Sequence, residues 1–249
     1  MNGSSCLISY IGRNSGRFVN RDLPWLVTSQ RDYELSQLIK IYEALKPMRV
    51  LEIGTQEGGT LYQWIKYAPA GATIVNVDIL QDQTDGNALI DRWHSWRTDE
   101  IELITIFEYS HKAEGRVRAE LPEIDFLFID GDHSYEGAKL DFDIYGPMVR
   151  PGGVIVFHDL MTPKSGMQNH IQVGRLWREI QHAGYLTREI WSEQDPEWGG
   201  IGVVYVQAQA HIPADEQRER QRRVEAFQPM WEPGYLPNMR KEEDTGGTP

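Results

Sequence analysis

The sequence predicts an α/β protein built on an open, doubly wound sheet of mostly parallel strands, with helices on both faces. Short apolar runs typical of buried strands alternate along the chain with longer stretches in which apolar residues recur at helical spacing. One run, residues 124–130 with the sequence IDFLFID, is apolar enough for a central strand covered on both sides. In such sheets, ligands bind outside the carboxyl ends of the strands, so we expect the functional residues there.

Length, charge and cysteine content limit the classes of function. A chain of 249 residues can bury one sizeable core. The formal net charge of −12 opposes binding to nucleic acid or to an anionic membrane surface. Cys6 is the only cysteine, so neither an intrachain disulfide nor a thiolate zinc cluster can form. The sequence shows no apolar run long enough for a spanning helix and no signal-peptide pattern, and we expect a cytoplasmic protein.

The character of the sequence divides the chain into three parts. Residues 1–29 carry little periodicity and are interrupted by glycine and proline, which predicts an N-terminal arm or lid. Residues 30–206 alternate between strand and helix patterns without a linker and predict a single domain. Residues 207–249 predict a charged helix followed by a polar, frayed tail. The oligomeric state stays open, and a homo-oligomer is compatible with the sequence.

Periodicity gives the order of the elements. The first helix is predicted from Thr28 or Ser29, either of which is a suitable N-cap, to the residue before Pro47. The short connection SEQDPEWGG predicts that the last two strands are antiparallel. A later helix carries Trp93 and Trp96, which we interpret as core residues. The predicted strands are one that begins at residue 49 and others at 72–79, 101–107, 124–130, 154–157, 185–191 and 201–206.

The segment Arg49 to Thr60, RVLEIGTQEGGT, predicts a buried strand that enters a glycine-rich turn and then a helix. Gly54 can adopt a positive-φ turn, and Gly58 lets backbone N–H groups at the helix start face a small charged cofactor. The register of Glu52 and the glycines, E-x-G-x-x-x-G, differs from the dinucleotide fingerprint G-x-G-x-x-G and disfavours an NAD-dependent oxidoreductase. Alternatively, the turn only joins a strand to a helix.

Two further residues at strand ends are candidates for cofactor contacts. Asp78 ends the second strand, where a carboxylate can accept hydrogen bonds from ribose hydroxyls. Ser110 follows the third strand and faces the same crevice. The alternative for Asp78 is an aspartate that caps a helix or orders a loop.

The strongest functional signal is a set of polar residues at two neighbouring strand ends: Asp130, His133, His158 and Asp159. The aspartates offer the hard oxygen ligands that Mg²⁺ takes, and His158 can add an imidazole. His133 lies where a base could take the proton of a hydroxyl. Alternatively, a histidine beside an aspartate is a structural hydrogen-bonding pair, and Ser134 only caps the next helix.

These motifs resemble class I S-adenosylmethionine-dependent methyltransferases, and among them the metal-dependent sugar and natural-product O-methyltransferases related to cephalosporin hydroxylase-like proteins. The resemblance spans about residues 35 to 206 and implies a seven-stranded sheet with the last strand antiparallel. Its markers are LEIGTQEGGT (Leu51 to Thr60), the strand ending in Asp78, FLFIDGDHSYEGAKLDF (Phe126 to Phe142) and RPGGVIVFHDL (Arg150 to Leu160).

The resemblance also implies roles for individual residues. Asp130 and Asp159 would hold Mg²⁺, and His133 corresponds to the base histidine of related macrolide sugar methyltransferases. His158 departs from those enzymes, some of which have glutamate there, so the third ligand and the choice between Mg²⁺ and Mn²⁺ stay open. The candidate cofactor-binding residues are Glu52, Gly54 and Gly58 near the methionine part, Asp78 on the ribose, and Ser110 and Asp130.

The sequence therefore predicts an enzyme that transfers the methyl group of S-adenosylmethionine to a hydroxyl of a sugar or hydroxylated natural product, with a divalent metal. Two alternatives stay open: a non-catalytic S-adenosylmethionine-binding protein and a metal-independent methyltransferase. Measurement of turnover distinguishes the enzyme from the binding protein. Turnover in the presence of a chelator distinguishes metal-independent from metal-dependent transfer.

Overall fold

The computed structural model describes residues 17–79, 86–160, 171–192 and 199–208, together with Arg222. Residues 1–16 of the predicted arm, and almost all of the predicted charged helix and tail, lie outside the described residues. The strands are β1 (Arg17–Val19), β2 (Val27–Arg31), β3 (Arg49–Ile53), β4 (Thr73–Asp78), β5 (Glu102–Phe107), β6 (Ile124–Ile129), β7 (Val149–Phe157), β8 (Leu186–Ile190) and β9 (Ile201–Tyr205). The helices are α1 (Asp32–Leu45), α2 (Gly59–Tyr67), α3 (Gly86–Ser95), α4 (Ser110–Glu120), α5 (Tyr135–Tyr145) and α6 (Val173–His182).

Seven strands form one sheet in the order β5-β4-β3-β6-β7-β9-β8. Strands β5, β4, β3, β6 and β7 pair in parallel, whereas β9 is antiparallel to both β7 and β8. This confirms the predicted seven-stranded sheet with its last strand antiparallel. Because β3 and β6 are adjacent central strands, the residues that follow them meet at one edge of the sheet.

Alternate residues of the central strands enter two separate cores. Val50 and Phe126 pack with helices α1, α2 and α3 on one face, and Leu51 and Leu127 pack with α4, α5 and α6 on the other. The sheet is therefore doubly wound, as predicted. By the same alternation Glu52 points towards the face that carries α2.

The start of the first helix was predicted wrongly. Thr28 and Ser29, the expected N-caps, lie in strand β2, which pairs with β1 in a two-stranded antiparallel sheet, and α1 begins only at Asp32. A β-hairpin depends on a pairing partner that periodicity within the helix does not reveal. The predicted boundary after residue 29 lies inside this hairpin, and the division of the chain into arm, domain and tail stays a prediction.

No helix of the described part of the chain is long and apolar enough to cross a membrane.

Candidate functional site

The turn after β3 is built from residues in the left-handed region of φ. Gly54 has a φ of +86° and Gly58 a φ of +87°, and Gln56 between them has a φ of +51°. A Cβ atom on Gly54 would lie 2.1 Å from the carbonyl oxygen of Asp130. The backbones that follow β3 and β6 therefore touch, and only glycine fits between them.

The carboxylate of Asp78 fixes this turn. Its Oδ2 accepts hydrogen bonds from the backbone N–H of Thr55 at 2.6 Å and of Gln56 at 2.8 Å. Asp78 therefore orders the glycine turn, as the predicted alternative of a loop-ordering aspartate requires, and its contact with a ribose stays a prediction. Beside it, at the carboxyl ends of β4 and β5, lies a cavity of about 350 Å³, lined by Ile79, Phe107, Glu108, Tyr109 and Lys112.

Glu52 and Gly58 are engaged in packing on the other side of the turn. Glu52 is fully buried and accepts a hydrogen bond from the indole N–H of Trp64 at 2.8 Å. Burial raises the pKa of Glu52 to about 8, against the opposing effect of Thr60 and Trp64, so this carboxyl group is mostly protonated at neutral pH. A Cβ on Gly58 would lie 2.4 Å from Nε1 of Trp93, which is buried in the core as predicted.

Asp130, His133, His158 and Asp159 converge at the carboxyl ends of β6 and β7. His133 lies between the two carboxylates, with Nε2 3.4 Å from Oδ1 of Asp130 and Nδ1 3.6 Å from Oδ2 of Asp159. His158 approaches the same pair from inside, with Nδ1 3.1 Å from Oδ1 of Asp130 and 3.4 Å from Oδ1 of Asp159. The convergence predicted from the strand ends is therefore present.

The two histidines differ in exposure. The His133 side chain is 32% exposed, whereas that of His158 is 2% exposed and its Nε2 has no hydrogen-bond partner among the described residues. Asp130, His133 and Asp159 each offer a ligand atom, and these atoms lie within 4.8 Å of one another. The donor set of two carboxylates and an imidazole suits a divalent cation. Only His133 can both join this cluster and reach a molecule that approaches from solvent.

Charge pairing dominates the electrostatics of the cluster. Burial would raise the pKa of Asp130, but the charges of His158 and His133 outweigh it and hold that pKa below its ordinary value. Burial would lower the pKa of both histidines, but the carboxylates outweigh it, raising the pKa of His133 and taking that of His158 to about 9. The lowered pKa keeps the Asp130 carboxylate ionised, and a cation bound there would compete with the imidazole protons.

Backbone geometry also marks the cluster. Asp159 has a φ of +58°, an uncommon conformation for a residue with a side chain. His133 lies in the loop between β6 and α5, where its carbonyl accepts a hydrogen bond from the N–H of Gln172 at 2.7 Å. Ser134 caps α5 by accepting from the N–H of Gly137 at 3.0 Å, so its predicted alternative role as a cap is confirmed.

Three buried polar residues near the site were not identified from the sequence. Gln30 in β2 donates a hydrogen bond from Nε2 to Oδ2 of Asp130 at 2.7 Å. Glu34 on α1 is fully buried. Burial raises its pKa, and the charge of nearby His158 opposes part of that increase. Asp141 on α5 is 2% exposed, and the Ser110 hydroxyl lies beside its carboxyl group. An available signal was an acidic residue on the apolar face of a predicted helix, which Glu34 and Asp141 both show.

Comparison with known proteins agrees with this fold and site. A family model described as a methyltransferase domain matches residues 51–160, which include the glycine turn and the cluster. The domain that contains these residues is therefore similar to a methyltransferase domain. The domain has the fold of an O-methyltransferase from Bacillus cereus in complex with SAH, with a TM-score of 0.55 and 20% identity over 74% of this chain and 84% of that chain.

Two further similarities involve mycinamicin methyltransferases. The fold resembles the structure of MycE from the mycinamycin biosynthetic pathway in complex with Mg, SAH and mycinamycin VI, with a TM-score of 0.52 and 18% identity over 78% of this chain and 55% of that chain. The chain is 30% identical over 124 residues to the mycinamicin VI 2''-O-methyltransferase of Micromonospora griseorubida, covering 46% of this chain and 28% of that protein. The chain spans less than two thirds of the length of the curated relatives it matches.

Proposed function

We propose that this protein is an S-adenosylmethionine-dependent O-methyltransferase that uses a divalent cation and acts on a hydroxyl of a sugar or hydroxylated natural product. The observation that carries the proposal is the position of the Asp130, His133 and Asp159 cluster, which lies directly beside the glycine turn of a methyltransferase domain. The backbones of Gly54 and Asp130 are in contact, so groups bound at the two sites would be neighbours.

The cofactor would occupy the crevice at the carboxyl ends of β3, β4 and β5. Asp78 would accept hydrogen bonds from the ribose hydroxyls, and the cavity beside Ile79 and Tyr109 would take the base. Gly54, Gly58, Ser110 and the Asp130 backbone would border the methionine and adenosine parts. Because Glu52 is buried and mostly protonated, its contribution is to hold the turn against α2 through Trp64.

Methyl transfer to oxygen is an in-line displacement in which the carbon–sulfur bond breaks as the new carbon–oxygen bond forms. The fold would supply the orientation, because donor and acceptor bound at the two proposed sites would lie side by side. A divalent cation held by Asp130 and Asp159 would lower the pKa of a nearby acceptor hydroxyl. His133, the exposed histidine of the cluster, would accept the hydroxyl proton as general base, and buried His158 would complete or orient the ligand set.

The proposed acceptor class is supported by the similarity to a mycinamicin VI 2''-O-methyltransferase and to the structure of MycE in complex with Mg, SAH and mycinamycin VI. Their similarity to this chain covers only part of each protein, so acceptor screening must include simple sugars, nucleotide-linked sugars and glycosylated natural products. The excess of acidic residues in this chain favours a neutral or cationic acceptor over a polyanion.

The test measures methyl transfer from S-adenosylmethionine to such a panel, with Mg²⁺ or with excess chelator. We expect turnover only with the cation, while calorimetry shows SAH bound in both conditions. His133→Ala should reduce the rate by about 10²–10⁴-fold. His182→Ala, which removes an exposed histidine on α6, is the matched control and should leave the rate unchanged.

Three results would contradict parts of the proposal. Full turnover in excess chelator would replace it with metal-independent transfer in which His133 acts alone. Binding of SAH without turnover on any acceptor would favour a non-catalytic binding protein. Unchanged SAH affinity in Asp78→Ala, relative to the exposed-residue control Asp99→Ala, would remove Asp78 from the cofactor site.

A further inference from the structure

The β1–β2 hairpin lies outside the seven-stranded sheet but reaches into the candidate metal cluster. Gln30 is 3% exposed, and its Nε2 donates to Oδ2 of Asp130 at 2.7 Å across 100 residues of sequence. A buried side-chain amide is rarely left without partners, because an unsatisfied amide in the interior is costly. Here the amide reaches an ionised carboxylate, which is a strong acceptor.

The contact assigns different tasks to the two oxygens of Asp130. Gln30 binds Oδ2, whereas Oδ1 faces both histidines. With one oxygen held from outside the cluster, the carboxylate cannot turn without breaking this hydrogen bond. Groups outside the ligand set that hydrogen-bond to a metal ligand fix its orientation and its affinity for the ion.

The hairpin is attached to the cofactor side as well. Ser29, the residue before Gln30, donates a hydrogen bond from Oγ to Oε1 of Gln56 at 3.2 Å. Gln56 belongs to the glycine turn and donates its own N–H to Asp78. Two consecutive residues of β2 therefore contact the two halves of the site, but the Ser29 contact is exposed and the Gln30 contact is part-buried.

We propose that Gln30 is a positioning residue of the metal cluster: its amide holds the Asp130 carboxylate in the orientation that faces Asp159 and His133, so that an element outside the sheet sets the affinity of the cluster for a divalent cation. This inference rests on the proposed metal-dependent function. It concerns the position of Asp130 first and the bound ion second, and the two can be measured separately.

The experiment compares wild type with Gln30→Met, which keeps the volume of the side chain but removes its donor, and with Ser29→Ala as the matched control from the same strand. Crystal structures of the metal-free proteins show the Asp130 carboxylate, and electron paramagnetic resonance measures free Mn²⁺ and hence its dissociation constant. We expect Asp130 to turn in Gln30→Met and Mn²⁺ to bind about tenfold or more weakly. Ser29→Ala should match the wild type in both measurements, and SAH affinity should stay within twofold in every variant.

The outcomes separate this inference from the proposed function. If Asp130 keeps its orientation in Gln30→Met, the positioning role is wrong, whatever the affinity for Mn²⁺. It is also wrong if Gln30→Met and wild type bind Mn²⁺ equally well. If the wild type binds no Mn²⁺, the proposed metal dependence fails, and the orientation of Asp130 in the two crystal structures alone decides the role of Gln30.

Discussion

One aspartate lies near each end of strand β6, and the two have different kinds of hydrogen-bonding partner. Asp125, near the amino end, accepts hydrogen bonds at Oδ2 from the N–H groups of Met48 and Arg49, and it pairs at Oδ1 with Arg49 and Arg150. Asp130, just past the carboxyl end, is held by two histidines and an amide. Arginine keeps its charge at any pH at which a protein is folded, whereas histidine can lose its proton.

This difference separates a structural carboxylate from one suited to chemistry. The partners of Asp125 satisfy both its oxygens permanently, and they hold its pKa below the ordinary value against the effect of burial. The partners of Asp130 can give up protons and be replaced by a cation.

The largest expected effect concerns Asp125, near the amino end of β6. Asp125→Ala should lower the free energy of unfolding by about 3–5 kcal/mol, because two backbone N–H groups lose their acceptor and two arginines lose a shared carboxylate. Asp130→Ala should cost less than half as much, because His158 and His133 can become neutral. Urea-induced unfolding of both variants at neutral pH measures the difference. Equal losses would show that the two ends are not distinguished by their partners.

The second prediction concerns the contact between the turns at the carboxyl edge. Gly54→Ala and Gly184→Ala both place alanine at a φ near +85°, but a Cβ on Gly184 has nothing within 4 Å, whereas one on Gly54 meets the Asp130 carbonyl. Gly184→Ala should cost about 1–2 kcal/mol for the conformation alone. Gly54→Ala should cost about 1–3 kcal/mol more and weaken SAH binding, since the turn must shift. Thermal unfolding and calorimetry measure both effects, and identical unfolding temperatures would contradict the close approach.

The third prediction extends the comparison to a buried carboxyl group without a basic partner among the described residues. Burial raises the pKa of Asp141 to about 7, against the effect of the Ser110 hydroxyl, and its Oδ1 has no hydrogen-bond partner there. Between pH 4 and 7 the folded protein therefore keeps a proton that the unfolded chain has lost, so rising pH favours unfolding. Asp141→Asn should remove this dependence, which is on the order of 3–4 kcal/mol.

The measurement for Asp141 is the free energy of unfolding from pH 4 to 8 for wild type and Asp141→Asn. The difference between the two proteins should grow in favour of the variant as pH rises. A constant difference across this range would show that Asp141 is already ionised in the fold at pH 4.

The central sheet could be predicted from the sequence because its signals are local. IDFLFID is apolar on both faces of a strand, and the glycines after β3 are required by a turn only a few residues long. The cluster of Asp130, His133, His158 and Asp159 followed from a topological rule, since the carboxyl ends of adjacent parallel strands meet.

The rest depends on contacts that no local pattern specifies. Gln30 reaches Asp130 only because the β1–β2 hairpin folds over the site, and a hairpin assignment requires its pairing register. Burial of Glu52 depends on the approach of Trp64 from α2, so no local pattern predicts a mostly protonated carboxyl group there. The relative exposure of His133 and His158 likewise follows from packing on β7 rather than from residue type.

The smallest expected effect concerns two consecutive residues at the carboxyl edge, one with a structural role and one with a proposed catalytic role. Ser134 caps α5 through Gly137, whereas His133 contacts both carboxylates of the cluster. Ser134→Ala should lower the free energy of unfolding by about 1 kcal/mol, because one N–H at the helix start loses its acceptor. It should leave Mn²⁺ affinity unchanged, since the His133 carbonyl stays bonded to Gln172 and holds the loop. His133→Ala should instead cause little loss of stability and a large loss of the methyl-transfer rate. Urea unfolding, Mn²⁺ titration and the methyl-transfer rate of both variants test this, and a tenfold loss of Mn²⁺ affinity in Ser134→Ala would mean that the cap and the cluster form one unit.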